Sequence, residues 1–362
     1  VAPEVMDLRV LVSWYQAGVD AHGWRIGDRS QRRLVPELLL RDLSLIKAQD
    51  GENFIMVNDK YINIEDYSLG QGELNILAKD LAVDDKRFNG TIKLSNKVNH
   101  LWVTVKVSED VSAGLYFADL LSTKNGKISK IGTISIKVVD YILPKSKYVH
   151  GLYYRGKLSP ENNDWITSEY KSENQLNADF SDIYDHGVNA VLVYQPIEGR
   201  KQYIEYSKED LNKLIDRYFI IKRLYDDPDE ALYYLGLITS PSYKSDMASF
   251  LSKLEIVEKI SRKYAYNKTF IYGVDEAESN EIYSQKALWR FVRNRGVNVI
   301  ATGGRELYEN HLGEIDAYII QDRVGVKKVQ GNNELLTYSN PQSAVEDPYF
   351  YRYKRGLWIW QN

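Results

Sequence analysis

Phe270-Ile271-Tyr272-Gly273-Val274-Asp275-Glu276 opens the unit whose reading decides the fold. An apolar strand over 270–274 runs straight into two acids. A helix over 282–295 follows and stops at Gly296, and a second apolar strand occupies 297–301. Glycine just past a helical run is a stop signal, because the left-handed backbone needed there carries no side-chain penalty for glycine. The order strand, helix, strand extends both ways from this unit. Strands are expected over 149–154, 190–194, 232–238, 270–274, 297–301, 317–320, 335–338 and 357–360. Helices are expected over 174–186, which ends at Gly187, over 208–224 and over 247–264, where apolar residues recur at helical spacing. Eight strands alternating with helices predict a compact, degenerate (β/α)8 TIM-type barrel over 146–362.

The spacing of the strands qualifies that reading. Successive starts lie 41 and 42 residues apart at first but only 20 and 18 apart later. A full strand–helix–strand unit takes roughly 30 residues. The later units must then use short helices or plain loops, and an open doubly wound sheet is the alternative architecture.

Residues 1–145 follow a different grammar. Leu8-Arg9-Val10-Leu11-Val12 starts it, and the stretch from Leu101 to Val107 alternates with period two, so one face is buried. Ser112 to Leu120 is a further strand, Lys124-Asn125-Gly126-Lys127 carries a hairpin turn signal, and residues 133–139 alternate again. A short helix is expected near 38–46. Several strands with turns between them predict an N-terminal antiparallel β-sandwich ahead of the barrel, giving a multidomain β plus α/β chain.

The ends of the chain carry expectations of their own. Val1-Ala2-Pro3 opens without Met, as expected of a processed or trimmed terminus, and removal of a secretory signal would fit a secreted or particle-surface protein. The chain stops on Trp358-Ile359-Trp360-Gln361-Asn362 directly after an apolar run, so further residues are expected beyond it.

Composition excludes several function classes. The absence of cysteine removes disulfides, thiolate metal sites and a cysteine nucleophile together. Against 47 basic residues stand 50 acidic ones, a net charge of -3 that offers no field for nucleic acid. No apolar run approaches the ~18 residues of a membrane span. The five histidines never stand at helical metal-ligand spacing, so neither a metal nor a cofactor is expected. Gly303-Gly304-Arg305 lacks a nucleotide fingerprint and reads as a tight turn. Asp226-Asp227-Pro228-Asp229-Glu230 reads as a turn before a strand, and Lys222-Arg223 as a solvated face. The 28 tyrosines are the unusual count, and they suit either flat apolar ligand faces or an aromatic core.

In barrels of this kind the active site lies at the carboxyl ends of the strands. That rule selects Tyr153 and Arg155 after the first strand, Tyr194 and Gln195 after the second, Tyr272 with Asp275 and Glu276 at the fourth, Asp322 after the sixth, Tyr338 at the seventh, and Trp358 and Trp360 at the eighth. Tyrosines, amides and carboxylates on one rim are the chemistry of a sugar site. Adjacent carboxylates are poorly placed to clasp a sugar from opposite faces at the ~5–5.5 Å separation of an ordinary retaining glycosidase. They suit substrate-assisted hydrolysis, in which a 2-acetamido group attacks its own anomeric carbon. One carboxylate orients the amide and the other supplies the proton. Neighbours in a regular strand face opposite sides, so both acids reach a substrate only where the strand is already breaking.

Several segments carry a family resemblance. Trp102 through Val107, Ala113-Gly114-Leu115-Tyr116 and Val138 through Pro144 resemble the sandwich domain that precedes the barrel in glycoside hydrolase family 123. Tyr272 to Glu276 resembles that family's Asp-Glu motif at the end of strand four. Leu336-Thr337-Tyr338-Ser339-Asn340-Pro341 is similar to its strand-seven segment, and the stretch from Arg352 to Trp360 to its last, Trp-rich one. The resemblance implies a β-N-acetylgalactosaminidase-like hydrolase of a polysaccharide or glycoconjugate. Glu276 would be the general acid/base, Asp275 would orient the acetamido group, Tyr338 would bond its oxygen, and Trp358 or Trp360 would wall the subsite. The competing expectation is a non-catalytic glycan-binding or surface protein, to which Ala277, standing where that family carries Pro, and the trimmed start point.

Overall fold

The computed structural model describes residues 6–16, 32–64, 76–84, 92, 94, 100–142, 144, 148–154, 156–166, 170–193, 207–227, 233–239, 247–278, 280–304, 307, 311, 313–321, 334–338 and 353. The chain divides into two compact units. One comprises Val1–Gly72 and Asp80–Lys147, the other Glu73–Lys79 and Tyr148–Asn362.

The first unit is built from hairpins. Strand β1 (Met6–Gln16) is the centre of a three-stranded antiparallel sheet, flanked by β2 (Arg33–Leu40) and β6 (His100–Val105). A second three-stranded sheet runs β3 (Ile46–Gln49), β4 (Glu52–Val57) and β5 (Lys60–Asn63). Strands β7 (Gly114–Lys124) and β8 (Lys127–Val138) form a two-stranded ribbon. Three of the links are two-residue turns with both residues at positive φ: Asp50-Gly51 (54° and 83°), Asn58-Asp59 (45° and 61°) and Asn125-Gly126 (51° and 75°). That conformation matches the right-handed twist of the flanking strands, and Asn, Asp and Gly adopt it most readily.

The expected sandwich is corrected by this arrangement. The described strands form three small sheets rather than two broad layers, and among the described residues of this unit the buried hydrophobic side chains are Leu8, Val10 and Val57. Polar clamps serve instead. The Asn53 side chain accepts from the Tyr15 N–H (2.8 Å) and donates to the Tyr15 carbonyl (2.7 Å), joining β4 to β1. The Asp84 carboxylate accepts from the backbone N–H groups of Arg41 and Asp42. The short helix expected near 38–46 is the end of β2 followed by a single 3-10 turn, Leu43–Leu45, whose start is capped by Asp42.

The second unit carries a seven-stranded, all-parallel sheet. Its strands are β9 (Gly151–Tyr154), β12 (Ala190–Val193), β13 (Tyr233–Thr239), β14 (Lys268–Tyr272), β15 (Asn298–Gly303), β16 (Ala317–Gln321) and β17 (Glu334–Tyr338), adjacent in that order. The short pair β10 (Lys157–Leu158) and β11 (Tyr170–Lys171) stands apart from it. Four helices connect the strands: α1 (Glu173–Asp185), α2 (Lys208–Arg223), α3 (Met247–Lys263) and α4 (Asn280–Asn294). Helix α1 begins with a capping box in which Ser172 and Gln175 satisfy each other's backbone N–H. Gly187 and Gly296, at φ 84° and 80°, end α1 and α4 as the sequence predicts.

Alternation along the strands sorts the core into two clusters. Val191, Ile271, Val299, Ala301, Tyr318 and Ile320 pack with the helices, including Leu176, Phe180, Phe219, Leu254 and Trp289. Ala190, Phe270, Tyr272, Ile300, Ala317 and Ile319 form the other cluster, which contains no helix residue. A parallel sheet buried on both faces reads as near-continuous apolar runs, which is why strand 270–274 was legible in the sequence.

This sheet overturns the eight-fold barrel. A closed barrel needs eight strand–helix units with the last strand paired to the first. Among the described residues there are seven parallel strands and four helices, and β9 and β17 each pair on one side only. The expected strand at 357–360 lies outside the described residues. The units β15–β16 and β16–β17 are shorter than the usual strand–helix–strand unit of roughly 30 residues. Among the described residues the sheet is not doubly wound either, since its order does not reverse and the buried apolar helix residues pack on one face.

Lys222 is a second correction. It is fully buried on α2, not solvated. Its ammonium meets Asp226 at 2.7 Å and the Tyr184 hydroxyl at 3.3 Å, and it sits 4.9 Å from the Tyr266 ring centroid. Burial pushes its pKa down, against the pull of Asp226. Asp226 in turn accepts from Tyr184 at 2.7 Å and from Tyr266. One carboxylate therefore joins the ends of α1 and α2 to the segment leaving α3.

Candidate active site

Because the seven strands are parallel, their carboxyl ends share one edge of the sheet. Strand β14 ends at Tyr272, and the five residues after it are shaped by contacts on both faces. The Gly273 N–H donates to the Ile300 carbonyl at 2.8 Å. A Cβ at Gly273 would stand 3.1 Å from the Ala301 Cβ on β15 and 3.2 Å from Gln285 Oε1 on α4, a tight fit that would make these neighbours shift. Gln285, buried on α4, accepts from the Val274 N–H at 2.8 Å and donates to the Glu281 carbonyl at 3.0 Å. Ala277 is buried in the helix-side core. Between these anchors Glu276 adopts φ 49°, a left-handed backbone that a glutamate occupies only under constraint.

This break solves the adjacency problem posed by the sequence. A regular strand would send Asp275 and Glu276 to opposite faces. Instead both acids reach tyrosines of the helix-free cluster. The Tyr272 hydroxyl donates to Asp275 Oδ1 at 2.8 Å, and the Tyr338 hydroxyl donates to Glu276 Oε1. Tyr272 also meets the Thr302 hydroxyl and, at 3.1 Å, the Tyr153 hydroxyl. The Tyr153 and Tyr272 rings stand edge to face, 6.4 Å between centroids. Both carboxylates are exposed, while Tyr272 is buried and Tyr153 and Tyr338 are half-buried.

Burial is the main reason that the phenols of Tyr153, Tyr272 and Tyr338 have their pKa values raised, and the neighbouring acids reinforce it. These phenols therefore remain neutral hydrogen-bond donors around neutral pH. The result is two acceptors facing solvent, each held from below by a phenol that keeps its proton.

Of the residues expected at the rim, Tyr153, Tyr272, Asp275, Glu276 and Tyr338 come together. Arg155, Tyr194, Gln195, Asp322, Trp358 and Trp360 lie outside the described residues. Thr302 and Gln285 were missed. Thr302 was legible as the residue at the carboxyl end of the expected strand 297–301, on the face of Ile300 two residues earlier, but was given no role. Gln285 gave no signal, because its role depends on α4 lying against Gly273. Among the described residues no three His, Asp or Glu side chains gather as a metal site, and no helix is long and apolar enough to cross a membrane. No protein-family model, curated protein or solved structure matches the chain.

Proposed function

We propose that this protein is a glycoside hydrolase that cleaves an N-acetylhexosamine-containing glycan by substrate-assisted, retaining hydrolysis. The observation that carries the reading is the turn at 273–277. It delivers two adjacent carboxylates to the same tyrosine-bearing face at the carboxyl edge of a parallel sheet. The resemblance of Tyr272 to Glu276 and of Leu336 to Pro341 to glycoside hydrolase family 123 adds support.

The chemistry balances with these groups alone. The substrate's acetamido oxygen forms a bond to the anomeric carbon while the bond to the leaving oxygen breaks. Glu276 supplies the proton that the leaving oxygen takes up. Asp275 accepts the acetamido N–H, which concentrates electron density on the attacking oxygen. Water then adds to the anomeric carbon, losing its proton to Glu276, and the cyclised amide reopens with retained configuration. Tyr338, whose hydroxyl donates to Glu276 in the free site, would turn to the acetamido oxygen as substrate enters.

Hydrolysis of chromogenic N-acetylgalactosaminides and N-acetylglucosaminides by the wild type and by Glu276→Gln tests the proposal. Wild-type turnover with a loss of about 10²-fold or more in the variant is expected, the range for removing a general acid. Equal rates would remove Glu276 from catalysis. Glycan binding without turnover would favour a non-catalytic lectin-like role.

A further inference from the structure

We infer that Tyr272 is a positioning residue that locks the Asp275 carboxylate in the orientation for receiving a substrate amide N–H, with Thr302 and Tyr153 as its fixed base. The inference rests on the proposed hydrolase reading and assigns a role to a buried side chain that would act through Asp275. Its ground is a proton inventory. A phenol carries one proton and two lone pairs, and an ionised carboxylate accepts only. Tyr272 has three partners: Asp275 Oδ1 at 2.8 Å, Tyr153 at 3.1 Å and Thr302. The single proton goes to Asp275, and the two lone pairs face the two hydroxyls. Every hydrogen-bonding position of the Tyr272 oxygen is then used, and the bond to Asp275 has one direction.

Rigid backbone underlies the arrangement. Tyr272 is the last residue of β14, paired with Ile300, and Thr302 lies two residues further along β15 on the same face. Tyr272 and Thr302 are both buried, so neither hydroxyl can exchange its partner for water without moving the sheet. Asp275, by contrast, lies in an exposed turn. Fastening Oδ1 restricts the rotation that such a turn would otherwise allow and leaves Oδ2 as the oxygen available to a substrate amide. A carboxylate that must meet a flat amide in one plane gains from that constraint, since misplacement by about 1 Å costs on the order of 10²-fold in rate.

The test is a double-mutant cycle in the full chain, read by steady-state kinetics on a chromogenic N-acetylhexosaminide. Tyr272→Phe is expected to lower kcat by about 10- to 100-fold with KM changed by less than about 3-fold, the signature of an interaction needed mainly in the transition state. In the Asp275→Ala background the same substitution is expected to change kcat by less than about 2-fold, because no carboxylate remains to be oriented. A merely structural Tyr272 would lower activity by the same factor in both backgrounds, and that result overturns the inference. Unchanged kcat in Tyr272→Phe alongside a large loss in Asp275→Ala also overturns it, while leaving the hydrolase reading intact. A wild type inactive on every N-acetylhexosaminide defeats the reading and this role together. If Tyr272→Phe does not fold by circular dichroism, Thr302→Val takes its place in the cycle, with the same non-additivity expected and the same refutation.

Discussion

Replacing Asp226 by alanine strips the partner from a fully buried ammonium. Lys222 is 0% exposed and Asp226 5%, with 2.7 Å between the charged atoms. The substitution leaves Lys222 Nζ with the Tyr184 hydroxyl and the face of Tyr266, and it deprives both hydroxyls of their acceptor. Breaking a buried pair from one side costs about 3–5 kcal/mol, because the surviving charge stays desolvated. At about 2–4 °C per kcal/mol for a unit of this size, the melting temperature should fall by roughly 6–20 °C. Urea and thermal unfolding followed by far-ultraviolet circular dichroism measure both quantities. Lys222→Met combined with Asp226→Asn removes the buried charge along with its partner. This double variant is expected to be more stable than Asp226→Ala alone. A loss below about 1 kcal/mol in Asp226→Ala would refute the reasoning, since an ion pair worth so little behaves as a solvated one.

Three further expectations follow from the site. Gly273→Ala should cost about 1–2 kcal/mol and lower activity, because its Cβ displaces Gln285 from the Val274 N–H; wild-type stability in the variant would remove the close approach as the reason for glycine. Glu276→Gly should be about 1 kcal/mol more stable than Glu276→Ala in urea, since φ 49° suits glycine and both variants lose the same side chain. The opposite ranking, usual where the backbone is unstrained, would show that the turn carries no strain. Stability should decline as pH rises above about 10, where tyrosines of the unfolded chain ionise. Tyr153, Tyr154, Tyr184, Tyr266, Tyr272 and Tyr338 all have raised values when folded, so the folded state binds more protons there and alkali favours unfolding. A urea midpoint constant from about pH 9 to 11 would contradict that sign.

Much of the second unit is legible in the sequence. Its strands are short apolar runs and its helices amphipathic segments with glycine stops, both set by local periodicity. All four helices fall within a residue or two of the expected spans. The eight-fold closure was not legible and was wrong, because counting apolar runs says nothing about which strands pair at the ends of a sheet. Lys222-Arg223 was misread for a related reason. Sequence shows a charge, and only packing shows whether an aspartate four residues on accompanies it into the core.

What the sequence determined by itself is the identity and order of the chemical groups: an apolar strand, a glycine, two acids side by side, and tyrosines at the ends of several strands. What tertiary structure alone decided is their direction. The turn at 273–277 is held by Gln285 from α4, by Ala277 in the helix-side core and by Tyr272 with Thr302 across the sheet. These partners lie as far as thirty residues from one another along the chain. Side-chain direction at a broken strand end is set by such long-range contacts and not by local propensity, so no reading of the five residues in isolation could have turned both acids to one face.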